Sequence, residues 1–89
     1  MALPNYILED YEHLLKESGE EKFYDQMLRR GNLSKSSFDY PENVILDQSD
    51  GFFSHYRRTG NKNYFTIGRI LRRVAHKIYR DHKTKNPKY

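Results

Sequence analysis

The chain has no cysteine and no tryptophan. Without cysteine there is no disulfide framework and no thiolate metal site, which fits a reducing compartment. No apolar run approaches the roughly 18 residues of a membrane span. The start, MALPNYILEDYEHLL, carries neither a basic segment nor a continuous apolar one, so no signal peptide is read there. These absences lead to the expectation of a soluble, cytoplasmic protein that does not enter a membrane.

Catalytic and metal-binding patterns are lacking too. There is no glycine-rich phosphate loop, HExxH, nucleophile elbow or calcium-binding loop. The histidines are His13, His55, His76 and His82. On a helix, His76 and His82 point about 240° apart, whereas helical metal ligands need a spacing of three or four. His55 with Tyr56, Arg57 and Arg58 has the residue types for acid–base cleavage of RNA. Such groups need a preorganised sheet, and no strand pair is apparent. The expectation is no enzyme, no cofactor and no metal.

What the chain has is aromatic residues: eight Tyr and five Phe among 89 residues. Mean hydropathy is low, −1.03, yet this many large rings bury enough area to build a core. At this length the core belongs to one small domain. We read residues 1–82 as that domain and 83–89 as a fraying basic tail.

The net charge of +4 conceals a division. Through residue 50 there are eleven carboxylates against five bases; from residue 51 there are eleven bases against Asp81 alone. A split of this kind is the compositional mark of an anion-binding region on a more neutral scaffold.

Periodicity makes the chain helical throughout. Ile7, Leu8, Tyr11, Leu14 and Leu15 share one face of a first helix that Asn5 can cap. SGEE (Ser18 to Glu21) reads as a capping box opening a second helix, which uses Phe23, Tyr24, Met27 and Leu28 and stops at Gly31. A turn-rich connection from Asn32 leads to a short helix over 43–48, with Pro41 in its first turn. Ser49 or Asp50 caps a further helix containing Phe52, Phe53 and Tyr56, ended by Gly60. A long basic amphipathic helix starts at Asn63 or Thr66 and runs to about His82. The fold class expected is all-α, a bundle of four or five short helices ending in that helix.

In the last helix Ile67, Ile70, Leu71, Val74 and Ile78 cover about 100° of the surface. Arg69, Arg72, Arg73, His76, Arg80 and Lys83 gather opposite. Like charges three and four apart destabilise a helix, so a face of nearly one sign calls for an explanation. One is compensation by the N-terminal carboxylates, in which each rim pair contributes about 0–1 kcal/mol. Another is nucleic acid, most readily duplex DNA, with phosphate contacts from Arg57, Arg58, Lys62, Arg69, Arg72, Arg73, Lys77, Arg80 and Lys83. Base contact or stacking would then come from Asn61, Asn63, Thr66, Tyr64 and Tyr79, and Phe53, Tyr56 and Phe65 would be core. Helix, TGNK turn and helix have the outline of a helix-turn-helix, without its usual residues at His55 and Tyr56. DNA-binding domains of this size are often paired, which leaves room for a homodimer. The rival reading is a protein-interaction module, an adaptor or inhibitor whose basic face docks on an acidic partner or whose acidic N-terminal helices dock on a basic one. The two readings divide on where the fold places the N-terminal acids.

Overall fold

In the computed structural model, which describes residues 5–33 and 41–85 and the side chains of 5–31 and 43–81, every element is a helix. The four are α1 (Asn5–Ser18), α2 (Glu20–Leu33), α3 (Pro41–Thr59) and α4 (Lys62–Lys85). There is no strand among the described residues. The radius of gyration is 13.2 Å, close to the roughly 12 Å of a compact domain of this length.

α4 is the element the others pack on. It supplies Ile67, Ile70, Leu71, Val74 and Ile78 to the core, against Leu8 and Leu15 from α1, Phe23 and Met27 from α2, and Phe52 from α3. Because each fully buried apolar side chain contributes about 1.5–3 kcal/mol, the five from α4 weigh about as much as the five from the other helices together. The centre is aromatic. The rings of Tyr11 and Phe52 stack at 5.4 Å, Phe23 meets Tyr11 edge-on at 6.0 Å, and Tyr64 lies 6.1 Å from Phe52. The Tyr11 hydroxyl satisfies itself by donating to Gln48 Oε1 at 3.1 Å.

Two tight turns set the helix order. Gly19 (φ +83°) and Gly60 (φ +73°) adopt the left-handed conformation that ends α1 and α3. Gly19 also accepts the first α2 bond, from the Phe23 amide at 3.0 Å. The N-cap of α2 is therefore Gly19, and the capping box expected at Ser18 falls one residue out of place.

Three further expectations give way. α2 does not stop at Gly31 but runs on to Leu33. Gly31 is buried, and a β-carbon there would collide with Ile78 Cδ1 and approach Ile45 Cδ1 to 2.9 Å. It is a point of close helix approach rather than a stop. The short helix at 43–48 and the helix after it are one, because Ser49 and Asp50 lie inside α3 instead of capping it. Ser49 is buried and donates to the Gly68 carbonyl oxygen at 2.6 Å, so its hydroxyl ties α3 to α4. α4 begins earlier than expected, at Lys62, and its backbone extends past His82. Much of the connection expected from Asn32, at 34–40, and the tail at 86–89 lie outside the described residues.

Candidate nucleic-acid interface

The start of α4 is fixed by Asn61. Its Oδ1 accepts from the Asn63 amide at 3.0 Å and its carbonyl from the Tyr64 amide at 3.1 Å, an N-cap of the usual kind. The same asparagine donates through Nδ2 to Glu12 Oε2 at 2.9 Å, and Asn63 Nδ2 reaches that oxygen at 3.2 Å. One carboxylate of α1 thus clamps the opening turn of α4. The side chains read from the sequence as base contacts, Asn61 and Asn63, are spent inside the fold. Thr66 is half-buried.

Tyr64, read as a stacking residue, is half-buried against the core. It packs between Phe52 and the edge of His55, whose ring lies 4.8 Å away. Burial pushes its phenol above the usual range, helped by the carboxylates of Glu12 and Glu9. Tyr79, by contrast, is 45% exposed.

The bases expected on phosphates divide into groups. Arg57 and Arg58 are exposed in the last turn of α3, and Lys62 is exposed at the first residue of α4. Arg69, Arg72, Arg73 and Arg80 are exposed along α4, with His76 among them. Arg69 to Arg80 spans eleven steps, about 16 Å of helix. Lys77 departs from the group: it is half-buried and pairs with Asp81 at 3.1 Å. The Lys83 side chain lies outside those described. From Lys62 to Arg80 the exposed residues of α4 are Lys62, Phe65, Arg69, Arg72, Arg73, His76, Tyr79 and Arg80. None is acidic and none is aliphatic.

Among the described residues, the α2 carboxylates meet this face along one edge. Glu20, at the start of α2, pairs with Arg69 at 3.4 Å. Arg73 lies over the Tyr24 ring, 4.9 Å from its centre. Glu20, Glu21, Tyr24, Asp25 and Arg73 line an open cleft of about 450 Å³ between α2 and α4. The α1 carboxylates are engaged elsewhere: Glu12 on Asn61 and Asn63, Glu17 on His13 at 3.1 Å. Arg57, Arg58, Lys62 and Arg72 have no ion pair among the described residues. Among the described residues compensation is partial, from Glu20 of α2 at Arg69 and from Asp81 at Lys77.

One surface residue escaped the sequence reading. Phe65, taken there as core, is 42% exposed. Its signal was the seven-residue spacing of Phe65, Arg72 and Tyr79, which returns to nearly the same side of a helix.

Among the described residues no group of three or more His, Asp or Glu is placed to hold a metal ion, and no helix is long and apolar enough to cross a membrane. The chain matches no protein-family model, and no curated protein or solved structure shows significant similarity to it.

Proposed function

We propose that the protein binds nucleic acid, duplex DNA in the first instance, by laying the outer face of α4 along the phosphate backbone. The observation that carries this reading is the composition of that face: basic, histidine and aromatic side chains without a carboxylate from Lys62 to Arg80. Such a face repels itself and is stabilised by an anion that spans several of its charges. α4 then acts as a long basic amphipathic helix, its apolar side forming the core and its basic side held outward and rigid.

The clamp of Glu12 on Asn61 and Asn63 shapes the mode of binding. A recognition helix reads bases with its first turns, and here those turns are bonded to α1. Contacts would therefore go to phosphates, giving affinity with little sequence preference. Arg69, Arg72, Arg73 and Arg80 would make them, with Arg57, Arg58 and Lys62 extending the track toward the α3–α4 turn. The role is binding rather than catalysis.

The test is affinity for a labelled random duplex across about 50 to 200 mM salt. The reading expects log K to fall linearly with log salt, and Arg72→Gln to lower the slope by about 1. Absence of binding at the lowest salt would reject the proposal and leave an acidic protein as the partner of this face.

A further inference from the structure

Phe65 lies in contact with two rings, Phe53 at 5.6 Å and Tyr56 at 5.3 Å, tilted by 59° and 54°. It nevertheless keeps two-fifths of its surface in water. A lone exposed apolar residue is ordinary. This one is not alone: it tops an aromatic cluster on the α3 side of α4, away from the α2 carboxylates. Arg57 follows Phe53 by one turn on α3. Arg72 and Tyr79 continue the line of Phe65 along α4, about 21 Å from end to end. Asp50, one turn before Phe53, bounds the patch at its other end.

The cluster is held in place by the α3–α4 contact. A β-carbon at Gly68 would come within 3.0 Å of the Phe53 ring, so glycine there lets Phe53 lie against α4 and support Phe65. Ser49, bonded to the Gly68 carbonyl, fixes the two helices at that level. The result is an aromatic ledge edged by arginines. A duplex keeps its base faces stacked internally and has no use for such a ledge. Unpaired bases do, since every base offers a π-face and stacks on an exposed ring with little regard to sequence.

We infer that the Phe53–Tyr56–Phe65 ledge is a stacking site for unpaired bases of a single strand, with Phe65 as the platform and Arg57 and Arg72 on the flanking phosphates. This rests on the nucleic-acid reading of α4 and adds to it a second mode, in which the protein holds strands that are open or have ends.

The experiment uses the full chain and two probes: a single-stranded oligonucleotide carrying 2-aminopurine, and the duplex made from it. Phe65→Leu keeps the apolar bulk and removes the stacking ring; Phe65→Tyr keeps the ring. The expected result is 2-aminopurine quenching on single-strand binding, lost with Phe65→Leu together with about ten-fold in affinity. Phe65→Tyr should retain both, and Phe65→Leu should lower duplex affinity far less than single-strand affinity. Equal behaviour of Phe65→Leu and the parent on the single strand would overturn the ledge. Equal loss on both probes would do the same. Duplex binding without single-strand binding would overturn this inference and leave the function proposed above standing, whereas failure on both probes would remove both.

Discussion

The Ser49 hydroxyl donates to the Gly68 carbonyl oxygen at 2.6 Å in the middle of the α3–α4 contact, where Ser49 is 1% exposed. A buried hydroxyl of this kind is stabilising only while its partner is in place. It also fixes the helices in register, because the bond forms at one level alone. Ser49→Ala removes the donor but leaves the Gly68 carbonyl its place in the α4 ladder. The expected loss is about 1 kcal/mol, in the range of a neutral hydrogen bond. Urea unfolding would show it as a lower midpoint at unchanged slope. An unchanged midpoint would mean that the bond contributes nothing beyond helix packing.

Helix content and the core stripe of α4 were legible in the sequence, because Ile67, Ile70, Leu71, Val74 and Ile78 repeat at the helical period and all are buried. Boundaries were less so, and for physical reasons. Ser49 and Gly31 are residues of helix ends in local chemistry. In this fold one serves as an interhelical donor and the other as a close-approach point beneath Ile78 and Ile45. Both roles depend on a neighbour distant in sequence, so no local pattern could reveal them. Asn61 and Asn63 illustrate the same limit at the candidate site. They have the side chains of base readers, and only the position of Glu12, some fifty residues earlier, shows that they are engaged.

Tyr11 gives the fold an alkaline limit. Its phenol is raised above the usual tyrosine value chiefly by burial, with the Arg30 guanidinium opposing and Asp10 adding to the rise. The folded state therefore holds this proton more tightly than the unfolded chain does. Stability from this source is complete below the unfolded value of about 10 and is lost as pH rises through the higher folded value. Tyr11→Phe keeps the stack on Phe52 and the edge contact with Phe23, and gives up the bond to Gln48. It should be modestly less stable at pH 8 and should lose less than the parent between about pH 9 and 11. Parallel losses in thermal unfolding across that window would show that Tyr11 does not couple to the fold in this way.

Glu20 offers the most direct test of how far the fold neutralises its own basic face. It pairs with Arg69 at 3.4 Å with both side chains about 60% exposed, an arrangement that contributes little to stability. Its charge, however, sits at the edge of the face proposed to meet phosphates, within a Debye length of Arg69 and therefore only partly screened at moderate salt. Glu20→Gln removes that charge and keeps the side chain's size at the first position of α2. The expected outcome is a small fall in the unfolding midpoint, from loss of a charge that favours the helix N-terminus, and a rise of several-fold in duplex affinity at low salt that fades as salt increases. Lys22→Gln, on the same helix, should show no such rise and serves as the control. If Glu20→Gln alters stability but leaves affinity as it was, the carboxylate belongs to the scaffold, and the binding track lies on the α3 side, along Arg57 and Arg72.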